Sequence, residues 1–222
     1  MDRGDSGVFV AIEGIDGAGT TTQMERYAAH LRGQKRAVHT TREPSTGPIG
    51  SLIRLMLTER VSLPSGRHPE TMALLFAADR LDHVECEVSP LLRDGCVVLS
   101  DRYYLSSIIY QSVAADVPPP STRDAAPTPR ADVPWIRELN RFAKAPDVTL
   151  VVDVSPDVAA ARRRARGGPR EIFDDQDLQR RLAAAYRQAE SFVPGDRVVH
   201  VDGDGSPDEV TRAIVAALAP YV

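Results

Sequence analysis

Lysine is nearly missing from this 222-residue chain. Lys35 and Lys144 are the only two, and arginine supplies the rest of the positive charge, a bias that a GC-rich genome produces. Cysteine is almost as scarce. Cys86 and Cys96 form neither a C-x-x-C pair nor a disulfide framework, which points to a reducing cytoplasm and to small hydrophobes rather than nucleophiles. No apolar run approaches the length of a membrane span, and residues 1–7 lack the apolar core of a signal peptide. A net charge of −4 argues against a protein that coats nucleic acid. There is no internal repeat. The expectation is a cytoplasmic protein without a nucleic-acid or membrane partner.

What is present starts at Val8. The apolar run 8–12 ends in Glu13-Gly14-Ile15-Asp16-Gly17-Ala18-Gly19, and Thr20-Thr21-Thr22 then opens a predicted helix reaching about Arg32. Strand, glycine-rich turn and helix in this order are the setting of a phosphate-binding P-loop. Gly14, Ile15, Asp16, Gly17, Ala18, Gly19, Thr20, Thr21 and Thr22 are the candidate nucleotide-phosphate ligands, and Thr21 stands where Mg²⁺ is held. Thr20 occupies the position of the usual lysine.

Further strands are predicted over 37–41, 96–99, 148–154 and 198–201, and further helices over 49–57, 69–93, 105–113, 135–143, from 156 into the arginine-rich stretch 162–170, 175–192 and 208–218. In the 69–93 helix the expected core residues are Leu74, Leu75, Ala78, Leu81 and Val88. Alternating strands and helices imply a parallel sheet covered on both faces, with ligands at the carboxyl ends of the strands. Those ends carry the P-loop, Arg42-Glu43, Asp101-Arg102 and Asp153, which should converge on one cleft. Residues 116–132 are rich in proline and small polar residues and read as a surface insertion. The chain 1–222 is otherwise expected to be one domain.

Several stretches together resemble the thymidylate kinase family. They are the P-loop, Thr41-Arg42-Glu43-Pro44, Leu74-Leu75-Phe76-Ala77-Ala78-Asp79-Arg80 with His83, Ser100-Asp101-Arg102-Tyr103 through Ser107 to Tyr110-Gln111, Asn140 with Phe142, and Pro146-Asp147 to Asp153. The resemblance implies an α/β, three-layer P-loop NTPase fold with a five-stranded parallel sheet. It implies transfer of the γ-phosphoryl group of ATP to dTMP, with Mg²⁺, by a homodimer. In such enzymes Arg102 and Arg42 hold the acceptor phosphate, Phe76 stacks on thymine and Arg80 donates to its carbonyl. Tyr110 crowds a ribose 2′-hydroxyl, Ser107 and Gln111 are further base contacts, Asp101 holds Mg²⁺ through water, and Asp16 sits near the reacting phosphates.

The stretch 162–174 is similar to the family's lid, with Arg162, Arg166 and Arg170 as candidate catalytic arginines. Gly17-Ala18 leaves no arginine inside the P-loop, as in the subclass that supplies it from the lid. Because Thr20 replaces lysine, two other readings stay open: a nucleotide-binding paralogue without full catalysis, and a kinase of another nucleoside monophosphate.

Overall fold

The computed structural model describes residues 7–61, 68–115, 131–166 and 176–222. Five strands, β1 (Val8–Glu13), β2 (Val38–Arg42), β3 (Val97–Asp101), β4 (Val148–Asp153) and β5 (Val198–Asp202), form one sheet in the order β2-β3-β1-β4-β5. Every pairing is parallel. The three inner strands are almost wholly buried, which is why they read as continuous apolar runs without alternation. The outer two are only half covered.

The helices are α1 (Thr20–Gly33), α2 (Pro48–Leu57), α3 (His68–His83), α4 (Ser89–Arg93), α5 (Tyr104–Ala115), α6 (Val133–Leu139), α7 (Pro156–Arg166), α8 (Gln176–Tyr186), α9 (Ala189–Phe192) and α10 (Pro207–Leu218). They cover the sheet in two groups. α1 packs with α10, whereas α5 packs with α3, α6, α8 and α9. The main core is built from strand residues such as Phe9, Ile12, Leu99 and Leu150 with Tyr27, Leu105 and Ile214 from the helices. A smaller core joins α2 to α3 through Ile53, Met56 and Met72, and Phe76 packs on its edge. The register pairs Ile12 and Arg42 each with Asp101, so the strands end together and their following loops share one edge of the sheet.

Three expectations need correction. The predicted helix over 69–93 is not one regular α-helix: between α3 and α4 the chain makes a π-turn at Val84–Val88. Pro90 follows it and has no N–H to return to the preceding turn, so the α ladder is broken there. Second, Leu74 and Leu81 are 51% and 38% exposed, and Ala78 is exposed as well. The buried face of α3 instead carries Met72, Ala73, Ala77 and the polar residues Asp79, Arg80 and His83. A helix apolar on several sides hides this choice, because buried polar partners decide it. Third, the 175–192 helix breaks after Tyr186.

Most of the proline-rich stretch lies outside the described residues. Its last two positions belong to the framework: Ala131 is buried in the main core, and Asp132 caps α6 by accepting the Trp135 N–H at 2.9 Å.

At α10 the Ser206 hydroxyl accepts the Glu209 N–H, and the Glu209 carboxylate accepts the Ser206 N–H at 2.9 Å, a reciprocal capping box. Ser206→Ala should therefore lower unfolding free energy by about 1 kcal/mol. Urea denaturation of the two proteins measures it.

Candidate active site

Glycine chemistry shapes the loop after β1. Gly17 and Gly19 sit at φ +90 and +88, a region that disfavours other residues. A Cβ on Gly17 would stand 2.5 Å from the Ala159 carbonyl oxygen, so α7 lies directly against the loop. A Cβ on Gly19 would meet nothing within 4 Å. That open side adjoins the first turn of α1, where the N-cap makes no side-chain hydrogen bond and the leading N–H groups have no intrahelical acceptors. A loop of this form receives phosphate oxygens.

The Thr21 hydroxyl donates to Asp101 Oδ2, joining α1 to the end of β3. Asp101 is 8% exposed, and its other oxygen, Oδ1, is buried without a hydrogen-bond partner among the described residues. A hydroxyl and a carboxylate oxygen left open are hard ligands of the kind Mg²⁺ takes, with water and phosphate oxygens completing its shell. The residues present thus fit the ion.

Arg102 follows Asp101 with φ +70, a strained backbone for a non-glycine residue. Its N–H donates to the Ile12 carbonyl at 2.8 Å, and the Ser100 hydroxyl donates to the Arg102 carbonyl at 2.7 Å, which holds the kink. The guanidinium pairs with Asp16 Oδ1 at 2.5 Å, donates to Ser106 Oγ at 3.1 Å and lies 5.1 Å from the centre of the Tyr110 ring. Asp16 and Arg102 are thus brought together, at the meeting of the P-loop with the β3–α5 junction.

Arg80 is buried. Nε and Nη2 reach Glu43 Oε2 at 2.8 and 2.6 Å, Nη2 reaches Ser107 Oγ at 2.8 Å, Nη1 donates to Asn140 Oδ1, and the plane lies 5.2 Å from the Tyr103 ring centre. Glu43 also faces His83 Nδ1 at 3.3 Å, and His83 Nε2 meets Thr41 Oγ1 at 2.8 Å. Asp79 holds the following loop by accepting the Ser45 N–H at 2.7 Å and the Ser45 hydroxyl at 2.6 Å. Gln111, on α5, is buried and its Oε1 accepts nothing among the described residues. Phe76 is half-buried on α3, and Tyr110 is buried on α5.

The remaining candidates fall as follows. Arg42 is exposed at the end of β2. Arg162 donates to the carbonyls of Ala18 (3.3 Å), Gly203 (2.9 Å) and Gly205 (3.1 Å), so it clamps the P-loop to the β5–α10 turn. Asp153 does not join the cleft group: its carboxylate is 2.7 Å from His200 Nδ1 on β5. Arg170 and the rest of the lid beyond α7 lie outside the described residues, as does the side chain of Arg166.

Sequence reasoning missed four contributors. Glu13 is buried and accepts the N–H groups of Tyr103 (2.8 Å) and Ser106 (3.2 Å), the Ser106 hydroxyl (2.5 Å) and the Tyr186 hydroxyl (3.1 Å). A carboxylate closing an otherwise apolar strand was the signal for it. Arg163 donates to the Asp16 carbonyl and, at 3.4 Å, to Gln179 Oε1. Tyr186 and Gln179, both from α8, had no local signal.

The model of the family described as thymidylate kinase matches residues 12–214. The chain belongs to the thymidylate kinase family. It is 36% identical to a probable thymidylate kinase of Pyrobaculum aerophilum over 216 residues, covering 96% of this chain and 97% of that one. It is 36% identical to a thymidylate kinase of Thermomicrobium roseum, covering 95% and 93%, and to one of Xanthomonas oryzae, covering 96% and 85%. Family membership accords with the α/β P-loop fold, seen here directly.

Burial opposes a charge on His83, but Glu43, with Glu87 and Asp79 beyond it, holds its pKa above the usual histidine value. A raised folded pKa contributes stability that is full below about pH 6.5 and is lost as pH rises through the higher folded value. Urea midpoints should therefore fall from pH 6 upward in the parent protein, and this part of the slope should vanish in His83→Gln. An unchanged slope would remove His83 as its source.

Proposed function

We propose that this chain transfers the γ-phosphoryl group of ATP to dTMP, giving dTDP and ADP, with Mg²⁺. The carrying observation is the contact between Asp16 and Arg102. It places the residue suited to hold an acceptor phosphate against the loop suited to hold a donor phosphate. Two phosphates so placed need only alignment and charge compensation to react.

On the acceptor side, Arg102 and Arg42 take the dTMP phosphate. Phe76 supplies the stacking face for thymine. Gln111 Oε1, an acceptor with no partner among the described residues, suits the N3–H of the base. Arg80 uses most of its N–H groups on protein partners, which leaves little beyond one Nη1 hydrogen for a thymine carbonyl and makes Ser107 chiefly its support. Tyr110 forms the floor under the sugar. On the donor side, backbone N–H groups of residues 14–22 cradle the ATP phosphates, Thr21 and Asp101 hold Mg²⁺, and Arg162, Arg166 and Arg170 are the candidate arginines of the lid. The ion would neutralise phosphate charge and orient the chain of phosphates.

The protein acts in the cytoplasm and pairs with a second copy. Both of its cysteines are free, and no described helix is long and apolar enough to cross a membrane. Leu52 and Leu55 on α2 and Leu74 and Leu81 on α3 are exposed leucines next to the base pocket, and a homodimer through these helices would cover them. Leu74→Glu combined with Leu81→Glu should convert a dimer to a monomer in sedimentation; a parent protein that sediments as a monomer removes this assignment.

ATP-coupled assays across dTMP, dUMP, UMP, CMP and AMP test the reaction, with dTMP expected to be preferred. Absence of dTDP at millimolar substrates would leave binding without turnover. Tyr110→Ala should lower the ratio of kcat/KM for dTMP over ribothymidine monophosphate by about tenfold, the scale of a lost steric contact, while Tyr110→Phe should leave it unchanged.

A further inference from the structure

The P-loop has no lysine, and the structure shows what Thr20 does in its place. Thr20 is 8% exposed, and its Cγ2 lies 3.3 Å from where a Cβ on Gly14 would be. Its side chain is packed under the root of the loop and carries no charge. Phosphoryl transfer concentrates negative charge on the β- and γ-phosphates, and a P-loop lysine normally meets it. Lys35, beyond the end of α1, and Lys144, before the start of β4, are both exposed and sit away from the loop.

Three arginines among the described residues touch the P-loop. Arg102 is held on the acceptor side by Asp16, Ser106 and the face of Tyr110. Arg162 is bound to a row of carbonyl oxygens between Ala18 and the β5–α10 turn. Arg163 differs. It reaches from α7 over Gly17, with its Cγ 3.0 Å from where a Cβ on that glycine would be, and its Nη1 donates to the Asp16 carbonyl. Gln179 links the two sides of this contact, lying 3.4 Å from Arg163 Nη1 through Oε1 and 3.4 Å from Asp16 Oδ2 through Nε2. The guanidinium therefore stands on the rim of the loop, next to the pair that joins donor and acceptor.

We infer that Arg163 supplies the positive charge that the P-loop lacks at position 20, facing the β- and γ-phosphates of the donor. This rests on the kinase reading above. In the step, an oxygen of the dTMP phosphate bonds to the γ-phosphorus as the bond from that phosphorus to the β-bridging oxygen breaks, and ADP leaves with the electron pair. Arg163 keeps its proton throughout and acts only by charge and hydrogen bonding. Its assignment is separate from that of the lid arginines further along the chain.

The test is a double-mutant cycle on the full chain, read in turnover and in binding. Arg163→Gln keeps a donor for the Asp16 carbonyl and drops the charge; it should lower kcat by about 10²-fold with KM for dTMP within about twofold. Thr20→Lys in the same chain should recover about tenfold or more of that loss, because both cations serve the same phosphates, whereas the neutral Thr20→Met should not. By calorimetry, Arg163→Gln should weaken a non-hydrolysable ATP analogue about tenfold and ADP less, with dTMP affinity unchanged. Equal losses with and without Thr20→Lys would overturn the inference, as would analogue binding indifferent to the charge at 163. A parent protein that binds the analogue through Arg163 but makes no dTDP would instead overturn the kinase reading and leave the placement of Arg163 standing. Should Arg163→Gln fail to fold, Arg163→Lys carries the comparison: its kcat is expected to stay within about tenfold of the parent, since a cation remains, and a larger loss in a folded protein counts against the role.

Discussion

One buried carboxylate fixes the start of α5 relative to the P-loop. Glu13 is the last residue of β1 and directly precedes the P-loop. Its two oxygens accept from Tyr103, Ser106 and Tyr186, which ties together the end of β1, the start of α5 and the end of α8. Burial pushes its pKa up, against the hydrogen bonds from Ser106 and Tyr103 and the charge of Arg102. A carboxylate at the N-terminus of α5 is also in the favourable place for the helix dipole. The kink at Arg102, the side chains of Ser106, Ser107 and Tyr110 and the open Gln111 all follow from where α5 begins. Because that beginning is referenced to a strand end, the spacing of the proposed donor and acceptor sites would not depend on the stiffness of any loop.

Much of this was legible in the sequence. The sheet could be read because inner parallel strands are apolar on both faces, and the P-loop because glycines at φ near +90 leave a fixed spacing. That the P-loop and Asp101-Arg102 would meet followed from strand ends sharing one edge, but the contact of Asp16 with Arg102 itself was not read, and Asp153, expected by the same argument, turns to His200 instead. The burial side of α3 was not legible. That helix carries leucines on the face it exposes and charges on the face it hides, since Arg80 and Asp79 are satisfied by Glu43, Asn140, Ser107 and Ser45, all distant in sequence. Local periodicity holds no record of such partners. The same reason hid Tyr186 and Gln179, and the backbone carbonyls from two other loops that Arg162 reaches.

On the proposed reading, Arg80 gives the base pocket its selectivity. A guanidinium held by Glu43, Asn140 and Ser107 and stacked on Tyr103 has no freedom left to adapt. Breaking such a buried pair by removing one partner costs about 3–5 kcal/mol, so the arrangement holds without ligand. Little ordering then remains to be done when a pyrimidine enters, and a base with the wrong edge leaves buried polar groups unpaired. Behind Glu43 the network continues through His83 and Thr41 to Glu87 and His39, which is half-exposed. His83 and Glu87, four residues apart, both face β2, where they meet Thr41 and His39.

The charge of the donor site follows from one contact of Gly17. Any side chain there would collide with the Ala159 carbonyl oxygen, so α7 can press on the loop only because the position is glycine. The same closeness excludes an arginine from that part of the loop. With threonine at the lysine position as well, the loop offers backbone donors and a helix dipole but no full positive charge of its own. Any cation must then come from a neighbouring element, and the element pressed on the loop is α7, with arginine at 162, 163, 164 and 166. Arg162 is held by carbonyls, and Arg164 is exposed. Arg163 is on the side that the Gly17 contact brings in. Glycine at 17, threonine at 20 and arginine at 163 are therefore one arrangement: the charge moves from the loop to the helix that lies on it.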